Sequence, residues 1–263
     1  MDLGLRDKVI MVAAASKGLG YGIAQAAAQD GASVSIASRT EADIKAAAQG
    51  LHDETGSKTL ATVFDATNAQ SIGDWTAATL DRFGRIDGLV VNAGGPPAGK
   101  FSDFDDADWQ AAFELTLLSA VRMIRSVLPS LREQGSGAIL TITSSSVKEP
   151  IDILLLSNVM RSGVVSLVKS LSKELAGDKI RVNNLIPGRI DTDRVRALDG
   201  IMADRQGAPV EKVTAAEEAA IPWGRYGTIE EFGRAGAFLL SDAASYVTGA
   251  TLVVDGGTMR TVW

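Results

Sequence analysis

The chain alternates short apolar runs with longer segments of helical periodicity. VIMVAAA (9–15), SVSIAS (33–38), TLATVFD (59–65), IDGLVVNAG (86–94), GAILTITS (137–144), KIRVNNLIP (179–187) and TLVVDGG (251–257) predict strands. Between them the pattern predicts helices near 20–30, 41–53, 71–83, 106–133, 155–176 and 229–241. Near-continuous apolar strands separated by helices indicate a parallel sheet covered on both faces, an α/β fold. One segment, 189–224, breaks the rhythm: it is long, charged and only partly patterned, with a helix predicted around 209–220. Inside a compact domain such a stretch marks a lid or substrate loop. No linker or internal repeat divides the chain, so residues 1–263 are expected to form a single domain.

Composition narrows the function. Of 263 residues, 46% are hydrophobic, enough for one large core. Lys and Arg total 26 against 32 Asp and Glu, mixed along the chain, for a net charge of −6. That balance provides no overall field for nucleic acid or anionic lipid. Cysteine is absent, which excludes disulfides, thiolate catalysis and Cys-ligated metals. With one histidine, His52, expected on a surface turn, neither a metal site nor a Ser-His-Asp triad is expected. MDLGLRDKVIMV lacks a signal-peptide layout, and no apolar stretch approaches the ~20 residues of a membrane span. The expectation is a cytoplasmic protein with a small-molecule substrate and no membrane or nucleic-acid partner.

Candidate chemistry starts at the first strand-to-helix turn, AAASKGLGYG (13–22). Its candidate contacts are Ala14, Ser16, Lys17, Gly18, Leu19 and Gly20. Gly18 and Gly20 permit a tight turn and close backbone approach, with the helix N-terminus facing a diphosphate. The second strand ends in SRT (38–40). An acidic residue there would grip a ribose diol; Arg39, with Lys17 nearby, instead favours NADP(H) over NAD(H) on charge grounds. Asp65, ending the third strand, suits either an adenine amine or a turn cap.

These landmarks, with NAG (92–94), ITSSS (142–146), RVNNLIPG (181–188), Thr192 and SDAASYVTGATLVVDGG (241–257), resemble the short-chain dehydrogenase/reductase family, especially its 3-oxoacyl-carrier-protein reductase-like branch. The resemblance covers about Lys8 to Gly257. It implies a single Rossmann-like, doubly wound, seven-stranded parallel sheet with helices on both faces. It also implies cofactor contacts from the first turn, Asp65, Ala66, Asn92, Ala93, Gly94, Pro187, Gly188, Ile190 and Thr192. Family members are usually dimers or tetramers, so a homo-oligomer is implied, with a tetramer favoured.

The departures concern chemistry. Ala14 replaces the first glycine of the family's turn. The family's working set is an Asn on the central helix, a Ser after the fifth strand, and a Tyr and Lys four apart on the next helix. Ser144 matches; the other three positions fall on Thr116, Ser157 and Arg161. Serine is a far weaker acid than a phenol, and arginine keeps its proton. Arg161 can still hold ribose hydroxyls, and proton delivery falls to water, the cofactor ribose or Lys148, the leading substitute, with Asp152 as another candidate carrier. Tyr21, Tyr226 and Tyr246 are not expected in the site, Tyr246 having a packing role. The leading expectation is an NADP(H)-dependent oxidoreductase on a carbonyl or alcohol with non-standard proton delivery. The alternatives are a catalytically silent subunit on the same fold, or a non-redox lyase or isomerase.

Overall fold

In a computed structural model, which describes residues 3–262, the chain forms one seven-stranded parallel sheet in the order β3-β2-β1-β4-β5-β6-β7. The strands are β1 (Val9–Ala13), β2 (Ser33–Ser38), β3 (Thr59–Val63), β4 (Gly88–Val91), β5 (Gly137–Ile142), β6 (Ile180–Pro187) and β7 (Thr251–Val254). The helices are α1 (Gly18–Gln29), α2 (Glu41–Thr55), α3 (Ala69–Phe83), α4 (Asp106–Ala112), α5 (Ser119–Gln134), α6 (Leu155–Glu174), α7 (Asp193–Gln206), α8 (Val210–Ala220) and α9 (Ile229–Leu240).

Alternation along each strand feeds two cores. Ile10 and Val12 of β1 join Leu140 of β5 and Phe232 of α9 on one face, under α1, α2 and α9. Met11 and Ala13 join Trp75, Met123 and Val164 on the other, under α3, α5 and α6. The central strands are buried on both faces, which is why they read as unbroken apolar runs. Trp75 is fully buried and gives its indole N–H to Ser35 Oγ at 2.9 Å, so its polar atom is satisfied. α1 and α9 cross closely because Gly22 and Gly233 face each other; a Cβ on either would overlap the opposing backbone.

Three expectations change. The predicted helix over 106–133 is interrupted by a π-helical segment, Phe113–Leu118, between α4 and α5. The 189–224 segment holds two helices, not one. α7 escaped the pattern because only Asp199 and Ala203 along it are buried, and one of those is charged. His52 lies in the last turn of α2, exposed, with Nδ1 2.9 Å from the Ser57 carbonyl.

Candidate active site

The strand order reverses between β1 and β4, so a crevice opens at their carboxyl ends. Asn92, just past β4, donates from Nδ2 to the carbonyl of Ala14, just past β1, at 3.3 Å. That bond ties the two loops across the crevice. Ala14 holds φ +49°, a left-handed conformation costly for a residue with a side chain. Gly20 packs beneath it: a Cβ there would lie 2.7 Å from the Ala14 oxygen and 3.1 Å from that of Ala13. Gly18, at φ +64°, faces the Thr192 methyl, which stands 3.6 Å from where its Cβ would be. The result is a cradle of bare backbone at the N-terminus of α1, which receives no side-chain cap. Unpaired N–H groups and the helix dipole suit a diphosphate there, so these residues fit a dinucleotide.

A cleft of about 1120 Å³ runs from this cradle across the ends of the strands. Ala14, Lys17, Gly18 and Leu19 line one end, with Asn92, Ala93 and Gly94 beside them. Ser144, Ser157 and Arg161 line the middle, and Pro187, Gly188, Ile190 and Thr192 the opposite wall. Val195, Leu198 and Met202 extend that wall along α7. Thr192 caps α7, accepting from the Val195 N–H at 3.3 Å.

Other expected residues lie off the cleft. Ser16 does not line it, and Gly20 is buried under the turn. Arg39 is exposed just past β2, and its guanidinium has no ion pair or hydrogen bond among the described residues. Lys17 is not a free partner for it: Asp193 binds Lys17 and holds its amine above the usual lysine range. Asp65 spends its carboxylate on the Thr67 backbone N–H, at 2.9 Å, and hydroxyl, at 2.8 Å; Ala66 beside it is buried. Lys148 does not line the cleft; its neighbour Glu149 does, accepting the Arg260 N–H at 2.9 Å. Thr258 and Met259 close that side, a C-terminal wall that sequence distance hid.

Ser144 sits in the turn after β5 and accepts the Ser146 N–H at 3.2 Å, leaving its own proton to donate. Ser157 and Arg161 stand one turn apart on α6. Arg161 Nε donates to Ser157 Oγ at 3.2 Å, and its Nη1 to the carbonyls of Ile142 at 3.0 Å and Thr143 at 3.4 Å. Burial, then the nearby charge of Arg194, pulls the Arg161 guanidinium down to about 10. It remains charged at neutral pH. Thr116 lies in the π-helical segment, buried, its hydroxyl without a partner. It borders a separate cavity of about 10 Å³ with Asn92, Ser119 and Arg161, space for about one water molecule.

No tyrosine among the described residues lines the cleft. Tyr21 is on α1. Tyr226 is buried and donates to Asp199 at 2.9 Å; desolvation, then that bond, raises its phenol far above the ordinary value. Asp199 also receives Arg189 Nη1 at 2.5 Å, and Arg189 Nε pairs with Glu217 of α8 at 2.8 Å. This network fastens α7 and α8 to the loop after β6. Tyr246 is fully exposed, against the packing role expected of it.

The family model described as enoyl-(acyl carrier protein) reductase matches residues 13–259. A 3-oxoacyl-acyl-carrier-protein reductase of Chlamydia muridarum is 32% identical over 257 residues, covering 98% of this chain and 99% of that protein. An L-sorbose reductase of Gluconobacter frateurii, solved with NADPH and L-sorbose, superposes with a TM-score of 0.94 at 28% identity, covering all of both chains. An NADPH-bound short-chain oxidoreductase of Pseudomonas aeruginosa PAO1 with an atypical catalytic center gives 0.89 at 28% identity, covering 98% of this chain and 99% of that one. Among the described residues no helix is long and apolar enough to cross a membrane.

Proposed function

The chain belongs to the short-chain dehydrogenase/reductase family, and from that premise we propose that it is an NADP(H)-dependent oxidoreductase acting on a small carbonyl or alcohol substrate. The observation that carries the proposal is the bare-backbone cradle opening into a cleft that also holds Ser144 and Arg161. When bound, the dinucleotide supplies or accepts hydride at the substrate carbon. Gly18 and the α1 N-terminus would hold its diphosphate, with Gly20 supporting the turn from beneath and Thr192 lining the cleft beside Gly18. Arg39 meets the 2′-phosphate. Ser144 donates to the substrate oxygen, and Arg161 binds ribose hydroxyls while adding fixed positive charge. Ser157 passes a proton without ionising, because a hydroxyl can accept one and donate another. Water in the open cleft that Ser157 lines replaces that proton. Lys148, away from the cleft, is dropped from this role.

Within the family we place the chain beside the 3-oxoacyl-acyl-carrier-protein reductases, on the motifs quoted above and the 32% relative. Residues 189–224 act as the substrate lid, supported by the α7 side chains on the cleft. The protein assembles as a homotetramer. Supporting this, Leu252 on the edge strand β7 and Val159 on α6 are exposed apolar side chains, 37% and 48% accessible. Sedimentation velocity tests it.

The deciding test is fluorescence titration with NADPH and NADH in parallel, then NADPH oxidation with a panel of carbonyl compounds. NADPH binding at least about tenfold tighter, the loss expected for one charged hydrogen bond, supports the assignment. Binding of neither nucleotide overturns it. The lack of a phenol on the cleft favours one competing reading, a silent subunit, which predicts NADPH binding without turnover of any carbonyl.

A further inference from the structure

Among the described residues, Arg161, Arg194 and Arg205 line the cleft without an ion pair, and the first two stand together. Arg161, on α6, and Arg194, in the first turn of α7, converge on Gly95, the residue after the Asn92–Gly94 loop. A Cβ on Gly95 would stand 3.4 Å from Arg194 Nη2 and 4.0 Å from Arg161 Nη2. Arg161 Nη2 makes no hydrogen bond among the described residues, although Nε and Nη1 are fully engaged. Arg194 Nη2 reaches only the Pro96 carbonyl, at a long 3.5 Å. Neither arginine forms an ion pair among the described residues. The cations near them on the same wall are neutralised: Arg189 by Asp199 and Glu217, and Arg196 by Asp191 and Asp193.

This arrangement does not serve the fold. A cation in the first turn of a helix opposes the helix dipole. Two guanidiniums brought together repel each other, and after burial the charge of Arg194 lowers the affinity of Arg161 for its proton. Arg194 is exposed and Arg161 half-buried, so the cost of an unpaired buried charge falls on Arg161 and persists where something else compensates it. The free N–H donors and the like charges both point to a bound oxyanion. Guanidinium groups match a planar carboxylate with paired N–H donors.

We propose that Arg194 and Arg161 form a carboxylate-binding subsite, so that the substrate is an oxo acid or hydroxy acid whose carboxylate lies close to the reacting carbon. This rests on the oxidoreductase reading above. Arg194 is its specificity-determining residue; Arg161 supplies the second donor from one Nη2 hydrogen, leaving the other for a ribose hydroxyl, while Nε holds Ser157 and Nη1 the carbonyls of Ile142 and Thr143. The competing source of an oxyanion is the diphosphate of the dinucleotide.

Calorimetry on protein saturated with NADP⁺ separates the two. The oxidised cofactor cannot reduce a ketone, so binding is read without turnover. The probes are acetoacetate and acetylacetone, the second replacing the carboxylate with a neutral acetyl group. Acetoacetate is expected to bind at least about tenfold tighter. Arg194→Met should erase that preference and leave NADP⁺ affinity within about twofold. Arg194→Lys, keeping charge but not the fork, should restore only part of it. Equal binding of the two probes, or binding of neither, overturns the subsite. So does a tenfold loss of NADP⁺ affinity in Arg194→Met, which would assign the pair to the diphosphate. If the wild type fails to bind NADP⁺ at all, the oxidoreductase reading fails instead. The same probe comparison on the protein alone then still decides the subsite.

Discussion

Gly20→Ala pits two effects of opposite sign against each other. Gly20 lies in the first turn of α1, and alanine is the better helix former by up to about 1 kcal/mol. Propensity alone therefore predicts a more stable protein. The added methyl, however, would sit 2.7 Å from the Ala14 oxygen and 3.2 Å from the Ala14 carbonyl carbon. These are backbone atoms in an already left-handed residue, and the same oxygen accepts the Asn92 amide. They cannot rotate away as a flexible side chain would. Overpacking of this kind costs about 1–3 kcal/mol. The net loss should be roughly 1–2 kcal/mol, a fall in Tm of about 2–8 °C at this chain length. Gly73→Ala is the control: Gly73 is an exposed position within α3, and a Cβ there meets nothing within 4 Å. It should raise Tm by about 2–4 °C through propensity alone. Thermal and urea unfolding are compared at one protomer concentration, because assembly makes Tm concentration-dependent. Gly20→Ala should also weaken NADPH binding, since pushing Ala14 aside loosens the bond to Asn92. A rise in Tm matching that of Gly73→Ala would refute the contact argument.

Arg39→Asp should reduce NADPH affinity by about 10–100-fold while sparing NADH, read by fluorescence titration of both. Asp199→Ala removes a buried carboxylate that holds both Arg189 and the Tyr226 hydroxyl. Because Glu217 still pairs with Arg189, the loss should fall at or below the ~3–5 kcal/mol of a broken buried pair. It should appear as faster proteolytic cleavage between 193 and 220. Glu231 is held at about 2, below its ordinary 4.5, first by the Arg225 hydrogen bond and then by the Thr228 N–H. Its folded-state pKa is depressed, so its contribution is complete above pH 4.5 and is lost as pH falls towards 2. Glu231→Gln should therefore lower stability in urea at pH 6, and the gap from wild type should close progressively between pH 4.5 and 2.

What the sequence disclosed follows from what each residue touches. The strands were legible because both faces of the sheet are covered, so β1 and β4 could be apolar throughout. Their ends were less so: NAG (92–94) continues the apolar run of β4 but leaves the sheet to line the cleft. α7 was hidden because it buries Asp199, whose partners Arg189 and Tyr226 come from other parts of the chain. The glycine turn was visible as a motif. Its geometry was not, since nothing in AAASKGLG says that Ala14 takes a left-handed conformation while Gly20 supports its carbonyl. Lys148 was assigned by distance along the chain from Ser144. The turn over 145–149 brings Glu149 to the cleft instead.

Ser157 and Arg161 of α6 act as one unit. An arginine at 161 is longer than a lysine and forked, and it reaches the carbonyls of Ile142 and Thr143 at the end of β5 while its Nε still binds Ser157. A small residue at 157 is what leaves room for that reach, because the serine oxygen sits directly against the guanidinium. Positive charge is therefore held beside the cleft on a guanidinium that burial lowers to about 10 and that stays protonated at neutral pH. An arrangement of this kind favours binding and polarising an anion over ionising to release a proton. The unpaired Nη2 of Arg161 and its neighbour Arg194 lie where that preference can act on a substrate. Under the proposed function, proton movement would fall to hydroxyls that relay without ionising, Ser157 among them.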